Sequence, residues 1–254
     1  MKALLVLLLL LAPCFAASTS YATSQELVSI TLYIDYGNGT RLEYNLLLPN
    51  GSTLFNATLE VAEVNYTVYD YGVFVNAINE VWNNPENNTY WMWYYWNVES
   101  AEWTLGPCSC DRYVVKDGEL LIWAYQDVSS SEFPTPPEFE LLVFVKDLET
   151  GEPIDNATVE VYDLEGTLVA SFRTNSSGYA NKTLLGGKYS LLVKAVGYLE
   201  NSTSVVLGTD LVVEVELAKP SSSPPSSVAA EVVLLAPALA CVTLKLGRRR
   251  RGLN

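Results

Sequence analysis

Residues 90–96 read Tyr90-Trp91-Met92-Trp93-Tyr94-Tyr95-Trp96, and all six tryptophans of the 254-residue chain fall between Trp82 and Trp123. Alternation with period two sends Tyr90, Met92, Tyr94 and Trp96 to one face of a strand, and Trp91, Trp93 and Tyr95 to the other. Both faces are then heavily apolar. A surface strand needs only one such face, so the second must lie under another layer, line a cavity, or present an aromatic platform. Two readings stay open. One is a central strand covered on both sides; the other is a ligand-facing aromatic surface with Trp91, Trp93, Tyr95 and Trp103 as its contacts.

Outward from this stretch the pattern is mainly β. Leu27 to Tyr36 alternates and stops at Gly37-Asn38-Gly39, a hairpin signal answered by a second strand from Arg41 to Leu48. Ser52 or Thr53 offers an N-cap for a short helix through about Glu63, because Leu54, Ala57, Leu59 and Val61 give it one apolar face. Strands follow at Tyr66–Tyr69, Val73–Ile78, Thr89–Val98 and Glu119–Tyr125. One helix over a mainly antiparallel sheet makes residues 25–127 an α+β, β-grasp-like domain. Residues 128–137 are a proline-rich joint ending in Pro134-Thr135-Pro136-Pro137. From 138 to 219, short alternating strands separated by Gly151, Gly166, Gly178 and Gly186-Gly187 indicate a β-sandwich.

Two family resemblances attach to these domains. The segments Ile34-Asp35-Tyr36-Gly37, Gly72-Val73-Phe74-Val75-Asn76-Ala77-Ile78, Trp91 to Asn97 and Val115 to Tyr125 resemble the transcobalamin C-terminal-like domain. That resemblance implies a β-grasp-like fold and, by analogy with the vitamin B12 carriers, one wall of a corrin site. The carriers' large helical domain has no counterpart here, and the chain has no histidine to ligate cobalt. No cofactor is therefore expected. Thr150-Gly151-Glu152-Pro153-Ile154, Asn156 to Val161, Thr174 to Ala180 and Ala195-Val196-Gly197-Tyr198 resemble the carboxypeptidase regulatory-like family. This implies a seven-stranded, transthyretin-like sandwich serving as a non-catalytic spacer or adhesion module. Asp147 and Asp155 are read as solvated turn acids, with calcium as the alternative.

The ends indicate where the protein works. Lys2, the apolar run Ala3 to Ala12 and the small residues after it predict a signal peptide over 1–22, cut after Ala16 or Ala22. Cys14 resembles a lipoprotein attachment site, except that Pro13 precedes it. A Pro/Ser linker over 220–227, an apolar stretch over 228–246 and a basic tail over 247–254 predict a single transmembrane anchor with its arginines inside. The alternative is a sorting tail exchanged for a lipid, similar to archaeal ones. Setting signal and anchor aside leaves 9 basic against 28 acidic residues, a net −19 that excludes nucleic acid and anionic lipid as partners. Sequons at Asn38, Asn50, Asn56, Asn65, Asn87, Asn156, Asn175, Asn181 and Asn201 add candidate glycosylation sites. The whole resembles an archaeal cell-surface glycoprotein, anchored in the plasma membrane with its domains outside and a surface-layer protein as a candidate partner.

Cys108-Ser109-Cys110 admits a local disulfide, free or intermolecular thiols, or soft-metal ligation, with the disulfide preferred and no metal expected. Without histidine, Ser-His-Asp and Cys-His mechanisms lose their base. Glu99, Glu102 and Asp111 flank the aromatic run as a paired-carboxylate alternative, yet no catalytic signature emerges and the chain is read as a non-enzyme. The expected function is capture of a small-molecule or glycan-like ligand by the first domain, held off the membrane by the second. The alternative is a purely structural or adhesive glycoprotein. Burial of the tryptophans discriminates between them.

Overall fold

A computed structural model of the chain describes residues 26–221. The expected signal peptide, anchor and basic tail, and the linker beyond Ser221, lie outside the described residues. Among the described residues no helix is long and apolar enough to cross a membrane.

The first strands are β1 (Leu27–Asp35) and β2 (Arg41–Pro49), an antiparallel hairpin in register from Leu27↔Pro49 to Asp35↔Arg41. Gly37 closes it at φ +69°, and a Cβ there would lie 2.4 Å from the Tyr125 carbonyl oxygen. Only glycine combines that conformation with that approach. Helix α1 (Leu54–Val61) starts from a capping box in which the Thr53 hydroxyl accepts from the Asn56 N–H and the Asn56 carboxamide accepts from the Thr53 N–H. Its buried face is Leu54, Ala57 and Thr58. The Thr58 hydroxyl, itself donating to the Leu54 carbonyl, accepts the Trp123 indole N–H at 2.8 Å and so fastens helix to sheet.

Strands β3 (Val64–Tyr69), β4 (Gly72–Ile78) and β5 (Val81–Trp82) form a small sheet of their own. The main sheet adds β6 (Thr89–Asn97), β7 (Glu102–Leu105) and β8 (Leu120–Asp127), in the order β2-β1-β8-β6-β7. The main sheet is mainly antiparallel, as expected, but the strands divide between two sheets where one was expected. β8 returns parallel to β1, with Thr31 opposite Leu120, because α1 and the small sheet together form the crossover that parallel neighbours require. The connection after Asn97 is also more than a loop: Glu102–Leu105 pairs back onto Tyr94–Asn97.

The second unit comprises β9 (Glu138–Asp147), β10 (Thr158–Tyr162), β11 (Leu168–Arg173), β12 (Tyr179–Leu185), β13 (Gly187–Lys194), β14 (Asn201–Leu207) and β15 (Leu211–Leu217). Two sheets, β11-β10-β13-β14 and β12-β9-β15, close on a core of alternating residues. Leu141, Val143 and Val145 of β9, with Val213, Val215 and Leu217 of the neighbouring β15, face Val159 and Val161 of β10 and Leu191 and Val193 of β13 across the core. Each such side chain contributes roughly 1.5–3 kcal/mol on leaving water, and period-two alternation supplies them without polar residues intruding.

The two units meet at the aromatic strand. Trp91 and Trp93 point into the core shared with α1 and the small sheet. On the opposite face Tyr94 and Trp96 join Trp103, Ile122 and Ala124, with Phe139 of β9 packed against them. The Trp96 indole N–H donates to the Gly208 carbonyl at 2.7 Å in a buried bond, the Gly186 N–H donates to the Pro137 carbonyl at 2.7 Å, and Lys188 pairs with Glu102 at 2.9 Å. A Cβ on Gly208 would fall 2.0 Å from the Val98 carbonyl oxygen. Strand β6 is thus covered on both sides: by its own domain on one, and by the sandwich and joint on the other.

Candidate functional site

Strand β7 pairs with β6 only from Tyr94 onward. Beside Met92 and Trp93 the chain runs instead as the irregular segment Gly106–Asp111, and a cleft opens between that segment and β4. Gly106 sits against the Trp93 ring so closely that a Cβ would lie 2.0 Å from Cε2. The Trp93 indole N–H donates to the Cys108 carbonyl at 3.1 Å, and the Trp91 indole N–H to the Val81 carbonyl at 2.8 Å. Both rings are therefore fixed by their polar edges, which leaves ring surface for the cavity.

The Cys-Ser-Cys-Asp-Arg segment holds the small sheet in place. The Ser109 hydroxyl lies between the Asp111 carboxylate and the Val73 carbonyl, two acceptors that compete for its one proton, the Asp111 carboxylate accepts from the Val73 N–H at 2.9 Å, and the Phe55 N–H donates to the Cys110 carbonyl at 3.0 Å. The Ser109 hydroxyl and the Val73 N–H hold Asp111 below the usual carboxylate range. Burial, with Asp111 nearby, pushes the Cys110 thiol up to about 12. Such a thiol stays protonated and is a poor nucleophile or metal ligand at neutral pH.

The cleft measures about 290 Å3 and is lined by Tyr71, Phe74, Trp91, Trp93, Leu105 and Cys108, among others. Its floor is buried, with Trp91 4% and Trp93 7% exposed, whereas its rim is open, with Tyr71 61% and Leu105 49% exposed. That volume lies near the lower limit for small-molecule sites, which run from roughly 300 to 1,000 Å3. It suits a one- or two-ring group or an apolar side chain better than a whole macrocycle.

The four candidate contacts separate. Trp91 and Trp93 reach the cleft through its floor. Tyr95 is half-buried and stacks on Tyr113 at 6.3 Å. Trp103 is buried at the junction of the two units, edge-on to Trp96 at 5.3 Å and donating to the Thr135 carbonyl. The four do not form one exposed platform, since two neighbouring layers cover the strand's faces. Tyr71, Phe74, Leu105 and Gly106 escaped the sequence reading. Their only signals were the aromatics flanking Gly72 and the break at Gly106-Pro107.

Nor is the preferred disulfide formed: Cys108 and Cys110 are free thiols, the first exposed and the second packed in the core. Glu102 is taken up by Lys188, and Asp111 by backbone, so neither is poised as a paired carboxylate. Asp147 is engaged by Lys219 at 2.6 Å and by the Tyr198 hydroxyl. Eight of the nine sequon asparagines are exposed, and Asn201 is half-buried. A broader trough of about 680 Å3 lies along Asp35, Tyr36, Tyr125, Gln126 and Phe133. Several of its polar groups already bond one another or nearby chain, as in the Arg41–Asp35 pair and the Tyr125 hydroxyl on the Trp82 carbonyl.

Family profiles match both units. The profile of the carboxypeptidase regulatory-like domain covers residues 140–218, and that of a domain of unknown function, DUF4430, covers residues 51–127. The chain carries one domain of each family. The DUF4430 domain is the transcobalamin-like one. Its matched span begins after the β1–β2 hairpin, although β1 is central to the sheet that the span completes.

No curated protein matches the chain by sequence. Among solved structures, haptocorrin in complex with Cbi is similar at 17% identity over 45% of this chain and 29% of that one, with a TM-score of 0.34. GBS52, the minor pilin of Streptococcus agalactiae, is 15% identical over 74% and 72%, with a TM-score of 0.31. The 5-hydroxyisourate hydrolase of Klebsiella pneumoniae is 22% identical over 32% and 85%, with a TM-score of 0.27.

Proposed function

We propose that the protein is a non-enzymatic, extracellular binding protein whose β-grasp-like DUF4430 domain takes a small apolar or aromatic group in the cleft between β4 and β6. The regulatory-like domain serves as its spacer. The observation that carries this reading is the cleft itself: two tryptophans immobilised by their N–H groups form its floor, beneath an open rim of Tyr71, Phe74 and Leu105. Apolar concavities with few fixed polar groups are the usual form of small-ligand sites. A non-enzymatic role is supported by the lack of histidine in the sequence and by the raised pKa of the Cys110 thiol. The acidic chain and its sequon density support a place outside the cell, on the membrane side of which the apolar 228–246 segment would anchor it.

A structural or adhesive role is the second reading. It is favoured by the burial of Trp96 and Trp103 at the domain junction, which commits two of the six tryptophans to rigidity. Fluorescence titration of the purified chain with corrinoid fragments, small aromatics and oligosaccharides separates the two. Saturable quenching abolished by Tyr71→Ala with Phe74→Ala, with circular dichroism unchanged, is the expected result. A flat response across the panel would remove the ligand reading and leave the adhesive one.

A further inference from the structure

Sheet edges are where β-proteins self-associate, so edges are normally blunted by charge, proline or brevity. Most edges here follow that rule. β2 carries Arg41, Glu43 and Pro49; β7 is four residues long with Glu102; β12 carries Lys182; β15 carries Glu214 and Glu216; and β11 ends in Arg173. β5 has only two residues. Two edges break the rule. β3, Val64-Asn65-Tyr66-Thr67-Val68-Tyr69, and β14, Asn201-Ser202-Thr203-Ser204-Val205-Val206-Leu207, have neither charge nor proline.

Each of these two strands opens on a sequon, Asn65-Tyr66-Thr67 and Asn201-Ser202-Thr203. Their asparagines differ. Asn201 is half-buried and its Nδ2 donates to the Glu216 carbonyl at 2.8 Å. Asn65 is exposed, its Oδ1 accepts from Asn76 at 3.0 Å, and its Nδ2 makes no hydrogen bond among the described residues. β3 is also the stickier edge. It pairs only with β4 among the described strands, and Tyr66, Val68 and Tyr69 are 45%, 68% and 48% exposed. A six-residue run of β-branched and aromatic residues with no charge is a template for another strand.

We propose that Asn65 is an N-glycosylation site whose glycan keeps the β3 edge from pairing with the β3 of a second copy. In the modification, the Asn65 amide nitrogen bonds the anomeric carbon of a polyprenyl-phosphate-linked oligosaccharide. The bond from that carbon to the phosphate oxygen breaks, the phosphate leaves with the electron pair, and the amide gives up one proton. The sugar then projects from the second residue of the edge and occupies the space an incoming strand needs. A second copy is the occupant held off because β3 offers it a matching uncharged strand. Most other approaches bring carboxylates of two acidic molecules together. Glu63 and Asp70 at the strand's ends confine that pairing to the six residues.

The test is expression of the full chain in a host that transfers N-glycans, with peptide mass spectrometry at Asn65 and light scattering after size exclusion. Wild type and Thr67→Ser, which keeps the sequon, are expected to carry a glycan at Asn65 and to run as monomers. Asn65→Gln is expected to double in mass, and Val68→Lys added to it is expected to restore the monomer. An unmodified Asn65 in a chain whose other sequons are occupied overturns the proposal. So does a monomeric Asn65→Gln chain, or an Asn65→Gln dimer that Val68→Lys leaves intact.

Discussion

Asp147 shows how much one side chain can hold together. It ends β9 with its carboxylate 4% exposed, accepting from Lys219, from the Tyr198 hydroxyl and from the N–H groups of Glu149 and Thr150. Lys219 follows β15, so the pair ties the first strand of the sandwich to the point where the chain leaves it. The ammonium first, and the backbone donors next, hold the Asp147 carboxyl far below its ordinary range. A depressed carboxyl contributes stability that is fully present above its unfolded pKa of about 3.9 and is lost as pH falls through the folded value. Thermal melts from pH 7 to pH 2 are therefore expected to show a decline below about pH 4. Asp147→Asn should melt lower at neutral pH and show a shallower acid decline. An unchanged acid slope in that variant would assign the decline to other carboxylates.

Among the elements, α1 illustrates a short helix made stable by what it touches. Eight residues cannot sustain a helix in water alone, so the capping box and the buried face must supply the rest. Thr58 is its fully buried polar residue, accepting the Trp123 indole across the helix–sheet interface. Thr58→Val keeps the shape and leaves that N–H without a partner, which should cost about 1–3 kcal/mol. Urea unfolding followed by tryptophan emission measures it, and a loss below about 0.5 kcal/mol would mean that water replaces the hydroxyl. The helix was legible because Thr53 and the apolar spacing both lie within ten residues of sequence. The small sheet was less so. Tyr66–Tyr69 and Val73–Ile78 read as strands, but nothing local says that they leave the main sheet, a choice made by Asp111 and Ser109 binding Val73 from 36 to 38 residues away.

At the scale of the whole molecule, the DUF4430 and regulatory-like domains are joined by packing as well as by the proline joint. Trp96 donates to Gly208 across 112 residues, and Gly208 lies against the Val98 backbone without room for a Cβ. Gly208→Ala is expected to open the junction by forcing backbone apart, at roughly 1–3 kcal/mol, while both cores stay intact. The single calorimetric transition of a coupled pair should then split in two. A variant that still melts once, at the wild-type temperature, would show that the junction adds nothing to stability. Rigid coupling would fix the direction in which the cleft faces relative to the spacer, and this is what a receptor or an adhesin held off a surface requires.

Taken alone, the sequence determined where most of the strands run and turn and which family each half belongs to, although β5, β7, β12 and β14 escaped it. Alternation, glycine turns and short motifs are properties of ten residues or fewer, and they survive without knowledge of the rest. It also raised the right question about residues 90–96, since two apolar faces demand two covers. Which cover lies on which face was decided only by tertiary structure. The Phe139 ring, the Gly208 carbonyl and the Gly106 gap reach the tryptophans from distant parts of the chain. The same distance separates the two uses of the aromatic stretch. Trp91 and Trp93 border a cleft because β7 pairs too late to cover that edge, and Trp96 and Trp103 are sealed because the sandwich packs there. Burial of an indole depends on what the fold places against it, and no local pattern encodes that.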